Sequence, residues 1–148
     1  MLQSLRALQP DEIDSVAAWL MAEGWPGREK GIPITAPEFS EILKLPGHSS
    51  YCMSENGEPP VAFGQIWVSS ANTVNLVRVI VDPNRRGRGF GKQLSAFLLA
   101  EARKLPQAST VRLRVLRANI AAVSLYTSLG FFVVETESNE SVLALAAG

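Results

Sequence analysis

Apolar positions in the first third of the chain recur at helical spacing on either side of a loop. After an acidic start at residues 10–12, the apolar residues predict a helix that Gly24 can end: Ile13, Val16, Ala17, Leu20 and Met21. Glycine and proline then indicate a loop over residues 24–37, and the segment PEFSEILKL predicts a second short helix. We expect a short strand over residues 2–8 before the first helix.

Residues 50–82 have the spacing and composition of β-strands. The segments SYCMS and PVAFGQIWVSS flank ENGEP, in which Asn56-Gly57 favours a hairpin turn. The next segment, TVNLVRVIVD, is rich in β-branched residues and apolar on both faces near its end, so it predicts a central strand that Pro83 stops. We expect Trp67 in the core of this sheet.

The second half of the chain alternates helices and strands. From Gly89 to Pro106 the apolar residues form a helical stripe, and STVRLRVL, which follows, predicts a strand. NIAAVSLYTSLG predicts a helix that Gly130 ends, and FFVVET and SVLALA predict the last two strands. The order β-α-α-β-β-β-α-β-α-β-β mixes hairpins with crossovers, so it predicts a single α/β domain over residues 1–148 with helices covering a mixed sheet.

The composition is that of an ordinary globular domain, and it argues against several classes of function. The 148 residues are 47% hydrophobic and 19% charged, and 14 basic residues balance 14 acidic ones. A broad nucleic-acid surface normally needs a basic excess, so this balance argues against nucleic acid as a partner. No segment approaches the roughly 20 apolar residues of a membrane span, and the N-terminus lacks the apolar core of a secretory signal, so we expect no membrane association.

Cys52 and His48 are the only cysteine and the only histidine of the chain. A single cysteine excludes an intramolecular disulfide, which fits a cytoplasmic protein. A zinc site would need ligands drawn mostly from carboxylates, so we expect no metal. His48 lies in the turn-like segment LPGHSS without a nucleophile elbow, which argues against a Ser-His-Asp hydrolase.

The segment RRGRGFGK, residues 85–92, concentrates glycine and positive charge between a strand and a helix. A nucleotide P-loop would need glycine where Arg86 stands and Ser or Thr where Gln93 stands. A dinucleotide-binding fingerprint would need its third glycine where Lys92 stands. A solvated glycine-rich turn, an RNA-binding tract and a cradle for a pyrophosphate are the remaining interpretations.

A pyrophosphate cradle has a physical basis at this junction. The first amides of a helix lack intrahelical partners, its dipole favours an anion, and glycine lets the backbone approach phosphate oxygens. Arg86-x-x-Gly89-x-Gly91 matches the pattern R/Q-x-x-G-x-G/A. Further along, the pattern N-x-x-A-x-x-L-Y-x-x-x-G-F is matched at Asn119, Ala122, Leu125, Tyr126, Gly130 and Phe131. Over residues 73–135 the two patterns, in this order, resemble the GNAT superfamily of N-acetyltransferases.

The resemblance implies a fold and a site for acetyl-CoA as co-substrate. The implied fold is a GNAT-like α/β (α+β) fold: a mixed, splayed, mostly antiparallel sheet of six to seven strands, flanked by about four helices. The pantetheine arm would bond the open strand edge at Val79, Ile80 and Val81, and Asn119 would bond the same arm. The pyrophosphate would lie on a cradle formed by Arg86, Gly87, Arg88, Gly89, Phe90, Gly91 and Lys92.

Acetyl transfer to an amine makes chemical demands that the resemblance assigns in part. The thioester oxygen needs a fixed donor, for which the family implies the backbone N–H of Val79. The leaving thiolate needs a proton, which Tyr126 would supply as general acid while contacting the co-substrate. The amine needs to lose a proton before it attacks, because a lysine-like amine has a pKa of about 10.4.

Neither the sequence nor the resemblance identifies the general base. In the branch of the family that acetylates protein N-termini, a glutamate stands five residues before the asparagine, but Arg114 holds that position here. Glu23, Glu29 and Glu41 fall in the helix-loop-helix that normally lines the acceptor side, and ordered water is the other alternative. The missing glutamate argues against the N-terminal branch.

Two functions compete on these observations. The first is an enzyme that transfers an acetyl group from acetyl-CoA to a primary amine, on a small molecule or a peptide, by direct attack on the thioester. The second is a non-catalytic acyl-CoA sensor or regulatory module on the same fold, which the missing base keeps open. The resemblance leaves the acceptor unidentified and is compatible with a homodimer, since dimers are common among relatives.

Overall fold

Four α-helices and six strands make up the described part of the chain in this computed structural model, which describes residues 6–23, 31, 34–56, 58–70, 73–106, 109–137 and 140–146. The helices are α1 (Ile13–Glu23), α2 (Ala36–Leu43), α3 (Phe90–Arg103) and α4 (Ile120–Ser128). The strands are β1 (His48–Ser54), β2 (Pro60–Ser70), β3 (Thr73–Val81), β4 (Thr110–Leu116), β5 (Phe132–Glu137) and β6 (Glu140–Ala146). None of the described helices is both long enough and apolar enough to cross a bilayer.

Two sequence expectations fall partly outside the described residues. Of the strand expected over residues 2–8, Arg6 is described, and it forms an isolated antiparallel bridge with Cys52. Of the hairpin turn, Asn56 is described, and its φ of 47° is the left-handed conformation that such turns use. Gly57 lies outside the described residues.

The strands form one mixed sheet in the order β1-β2-β3-β4-β6-β5. Within the described strands, β3 and β4 pair in parallel, and every other neighbouring pair is antiparallel. The predicted mixed, mostly antiparallel sheet with about four helices is therefore confirmed, and β3 lies inside the sheet as expected.

β3 and β4 stay together only at their N-terminal ends. The parallel pairing joins residues 73–75 to residues 110–112, and no later described residues of the two strands pair with each other. Since the two strands are parallel, their C-terminal ends lie on the same side of the sheet and border one gap. The predicted splay is present. Residues 76–81 of β3 and residues 113–116 of β4 do not pair with each other across the gap.

Helices cover the sheet on both faces. On one face α3 and α4 pack on a core that includes Leu94, Leu98, Val111, Leu113 and Tyr126. On the other face α1 and α2 pack on a smaller core that includes Val16, Leu20, Phe39, Phe63 and Ile80.

Trp67 corrects one expectation, because it is 37% exposed rather than part of the core. Its ring stacks on the His48 ring, with centroids 5.3 Å apart and planes 14° apart. Asn75 donates its side-chain amide to the Trp67 carbonyl at 3.1 Å, at the edge of the gap. The prediction was wrong because α1 and α2 do not extend over this part of β2, so the indole borders the gap instead.

Candidate functional site

The gap between β3 and β4 opens into a cleft of about 1100 Å³. Its walls include the two diverging strands, residues 85–87 and 89–92, the first turns of α3 and α4, the end of α1, and the segment between α2 and β1. Ligand pockets commonly measure about 300–1,000 Å³, so this cleft has room for an extended ligand together with a second, smaller one.

A bulge in β3 lies at the middle of the cleft. The register between β2 and β3 shifts where Arg78 and Val79 oppose the single residue Gly64. A Cβ on Gly64 would lie 2.7 Å from the Leu98 side chain of α3, so this position admits no larger residue without rearrangement. A bulge takes its residues out of the regular ladder, which is what an N–H donor at Val79 requires.

The segment between β3 and α3 has backbone conformations that favour glycine. Gly87 and Gly89 have φ angles of +78° and +82°, a region that costs other residues about 1–2 kcal/mol. A Cβ on either glycine would meet no atom within 4 Å, so the space above them is open. Gly89 is also the N-cap of α3 and offers no side-chain cap to its first amides. An uncapped helix start beneath open space is a site suited to an anion.

Carboxylates from distant elements hold three arginines around this helix start. Arg86 forms an ion pair at 3.0 Å with Glu23, the last residue of α1. Arg85 and Arg88 both contact Glu55, at 3.5 Å and 3.3 Å. The pairs of Arg85 and Arg86 keep these two cations on the wall of the cleft, where an incoming anion would compete with the carboxylates for them.

The start and the later turns of α4 line the same cleft, through Asn119 and Tyr126. Asn119 is the N-cap of α4, as its position predicts, because its side-chain oxygen accepts from Ala122 N at 3.1 Å. Tyr126 is 8% exposed, and its ring meets Phe131 edge-on with centroids 5.7 Å apart. Both residues line the cleft, two turns apart on one helix.

Burial raises the pKa of Tyr126, and the nearby hydroxyl of Ser95 partly opposes that rise. Ser95 lies on α3, is 1% exposed and lines the cleft. Its oxygen is close to Tyr126 but has no aligned hydrogen-bond partner among the residues that the structure describes. A phenol is protonated near neutral pH, the state that a proton donor needs, and the raised pKa extends that state to more basic solution.

Most of the residues that the sequence nominates come together here. The nominated residues that line the cleft are Val79, Ile80, Val81, Arg86, Gly87, Gly89, Phe90, Gly91, Lys92, Asn119 and Tyr126. The Arg88 side chain lies elsewhere, over the Phe90 ring at 4.7 Å from its centroid. Of the acids considered as a base, Glu23 lines the cleft and Glu41 does not, while Glu29 lies outside the described residues.

Sequence reasoning did not anticipate the contacts of Arg78 in the cleft. Its Nη1 donates to Gln65 Oε1 at 2.7 Å, and Gln65 is 0% exposed. Gln65 in turn donates to Ser50 Oγ at 3.1 Å. Burial lowers the pKa of Arg78. The available signal was an arginine inside the apolar, β-branched run of β3, where a cation is rare unless it has a polar environment or a function.

Residues 14–131 match the family model described as the acetyltransferase (GNAT) family, and the chain belongs to that family. A UPF0039 protein of Schizosaccharomyces pombe is 33% identical over 95 residues, which cover 64% of this chain and 61% of that protein. The match thus spans about three fifths of the length of this relative.

Solved acetyltransferases share the fold at low sequence identity. Spermidine N-acetyltransferase from Vibrio cholerae, solved with CoA and spermine, has a TM-score of 0.81 and 15% identity, covering 99% of this chain and 95% of that one. The ribosomal-protein-S18-alanine N-acetyltransferase from Escherichia coli has a TM-score of 0.74 and 23% identity, covering 100% and 95%. At identities this low, the similarity shows a shared fold alone.

Proposed function

We propose that the protein transfers an acetyl group from acetyl-CoA to a primary amine by direct attack on the thioester. The observation that carries this proposal is the gap between β3 and β4, which ends at an uncapped, glycine-rich helix start. Family membership supports it, as does the shared fold of a spermidine N-acetyltransferase solved with CoA.

The parts of the cleft match the parts of acetyl-CoA. The amides between Gly87 and Lys92 would hold the pyrophosphate, and Arg86 would exchange Glu23 for a phosphate oxygen. The amide-rich pantetheine arm would lie in the gap as an added strand, along the edge at residues 79–81. Because the Asn119 oxygen already caps α4, the nitrogen of that side chain is the group that would bond the arm.

The chemistry then needs a donor for the oxygen and a proton for the sulfur. The amine nitrogen attacks the thioester carbon, a C–N bond forms, and the Val79 N–H stabilises the negative charge on the oxygen. The C–S bond breaks, and the departing thiolate takes the phenolic proton of Tyr126. The amine loses one proton to a base, Tyr126 recovers its proton from solvent, and the products are an N-acetyl amide and CoA.

Glu23 is our candidate for the base. It lines the cleft at the end of α1, and its ion pair with Arg86 joins it to the proposed phosphate site. Phosphates that bind Arg86 would release the Glu23 carboxylate, so binding of acetyl-CoA would prepare the base. The proton would reach Glu23 through water.

A non-catalytic acyl-CoA sensor is the second candidate. Arg114 occupies the position where one branch of the family has its glutamate, and Glu23 is held in an ion pair. Both observations are compatible with a cleft that binds acetyl-CoA without using it.

Thermal melting and thiol release together test these two functions. Acetyl-CoA at about 100 times its Kd should raise the melting temperature by about 5–10 °C, and dephospho-CoA should raise it less. A panel of primary amines should then release CoA thiol in the presence of acetyl-CoA. No thermal shift at millimolar acetyl-CoA would refute both functions, and a shift without thiol release on any amine would favour the sensor.

A further inference from the structure

We propose that Gln65 is a positioning residue for the Val79 N–H, the proposed donor to the thioester oxygen. This inference rests on the proposed function, and it names a residue of β2 that acts on the reaction from outside the cleft. Gln65 is 0% exposed and does not line the cleft. It acts through Arg78, the residue that precedes Val79 in the bulge of β3.

The backbone of the bulge is strained at Arg78. This residue has a φ of +49°, in the left-handed region that favours glycine. In one common class of bulge the first of the two opposed residues is a glycine in that conformation, and Arg78 holds that place here. In a residue with a Cβ, this conformation lowers the population of the bulge by a factor of about 5–30. Contacts that hold Arg78 therefore have strain to offset.

The Gln65 side chain supplies such a contact from the neighbouring strand. Arg78 Nη1 donates to Gln65 Oε1 at 2.7 Å, and arginine has no acceptor, so the oxygen of the amide must face it. The nitrogen of the same amide donates to Ser50 Oγ at 3.1 Å and to the Ile42 carbonyl at 3.5 Å. The amide is therefore held at both ends, and it fixes the side chain of the strained residue.

The backbone of β2 supports the other residue of the bulge. Gln65 pairs with Val77, the last regular partner before the register shifts. Its neighbour Gly64 lies directly beneath Val79, since a Cβ on Gly64 would lie 3.7 Å from the Val79 Cα. With Arg78 held by a side chain and Val79 by close backbone packing, the N–H of Val79 has a fixed position. A donor fixed in advance needs no rearrangement when charge develops on the thioester oxygen.

Gln65→Met tests the bond to Arg78, because methionine keeps an unbranched side chain of similar size and removes the acceptor. We expect kcat to fall about tenfold with the best amine of the panel, because a misplaced donor weakens binding of the transition state. The KM for acetyl-CoA should stay unchanged, because the glycine-rich helix start is intact. Gln65→Glu keeps an oxygen for Arg78 and should retain most of kcat. An unchanged kcat in Gln65→Met would overturn the inference.

Two substitutions of Arg78 separate backbone position from charge. Arg78→Ala removes the side chain and keeps the strain, whereas Arg78→Gly removes both. We therefore expect kcat to be several-fold higher in Arg78→Gly than in Arg78→Ala. Both variants lose the same charge, so a direct action of that charge on a substrate would lower kcat equally in both and would overturn the inference. This pair keeps the test valid even where Gln65→Met fails to fold.

Ser54→Ala is the matched control for loss of a buried acceptor. Ser54 is 2% exposed, accepts from Arg6 Nη2 at 2.7 Å and does not line the cleft. This variant should lose thermal stability, as Gln65→Met should, and keep its kcat. The same fall in kcat in both variants would mean that lost stability explains it, against a positioning role.

The carbonyl stretch of bound acetyl-CoA reports on the donor without any acceptor amine. Acetyl-CoA labelled with ¹³C at the thioester carbonyl would give an isotope-edited infrared band for that bond alone. A hydrogen bond from the Val79 N–H polarises the carbonyl and weakens its double bond. The band should therefore lie at lower frequency in the unmodified protein and in Gln65→Glu than in Gln65→Met.

The possible outcomes separate this inference from the proposed function. The same band in the unmodified protein and in Gln65→Met would overturn the inference and leave acetyl transfer standing. A band that shifts in Gln65→Met, without thiol release on any amine, would support the role of Gln65 and favour the sensor over the enzyme. No binding of acetyl-CoA would overturn both.

Discussion

The two ends of the cleft are built from different parts of the chain. The end proposed for acetyl-CoA consists mainly of backbone: the open edge of β3, the left-handed turns at Gly87 and Gly89, and the uncapped start of α3. The opposite end, where the amine would bind, consists of side chains from β1, β2, β3 and β4 and from the segment after α2, including Trp67 and Arg78. One end depends on a short contiguous segment, and the other depends on tertiary packing.

Because of this difference, the two ends can recognise different parts of the substrates. Backbone amides recognise phosphate and amide groups without regard to the rest of a ligand, so they suit a co-substrate that many enzymes share. Side chains on separate elements can change one at a time, so they suit recognition of an individual acceptor. Substitutions in the two ends should therefore affect different kinetic constants.

Tyr126→Phe should have the largest effect, because Tyr126 lies between the two ends. We expect kcat to fall by about 10²-fold or more, since loss of a general acid typically costs that much. The KM for acetyl-CoA should change little, because the ring still packs edge-on against Phe131. Tyr51→Phe is the control, because Tyr51 is the other tyrosine of the chain and does not line the cleft.

The pH profile adds a second readout to this variant. A general acid works only while protonated, and burial raises the pKa of Tyr126 above its ordinary value of about 10. Activity of the unmodified protein should therefore decline only in strongly basic solution, and Tyr126→Phe should lack that decline. Equal kcat in the two proteins, measured where chemistry limits the rate, would remove Tyr126 from the mechanism.

Gly89→Ala should raise the KM for acetyl-CoA by about tenfold and leave the KM for the amine unchanged. A Cβ at φ +82° strains the turn by about 1–2 kcal/mol, and it enters the space where the pyrophosphate would lie. Steady-state kinetics with each substrate varied in turn would measure both constants.

Gly31→Ala is the matched control for that strain. Gly31 has a φ of +84°, close to that of Gly89, but it does not line the cleft. Both variants should lose thermal stability, and only Gly89→Ala should bind acetyl-CoA more weakly. The same rise in KM in both variants would mean that strain alone explains it, against a phosphate cradle at Gly89.

The same difference explains what the sequence could reveal. The order of the elements and the Asn119 cap follow from local spacing, glycine and capping patterns, which act within a few residues. The splayed sheet was predicted from the resemblance to the GNAT superfamily. Trp67 looked like a core residue because it lies in a largely apolar strand segment, but the extent of helix cover over β2 is a tertiary property. The link from Arg78 to Gln65 joins residues that only the register between β2 and β3 brings together.

Ser95→Ala should have the smallest effect of these variants. It tests the surroundings of Tyr126, between the two ends of the cleft. The Ser95 hydroxyl opposes the rise in the pKa of Tyr126, so its removal should raise that pKa further. The basic decline in activity should then move to higher pH, and kcat near neutral pH should fall a few-fold because the phenol is a weaker acid. Ser95→Cys, which restores a weak donor, should recover part of the loss. A lower kcat with an unmoved basic decline would indicate that Ser95 supports packing, since loss of the oxygen would then act without changing the acidity of Tyr126.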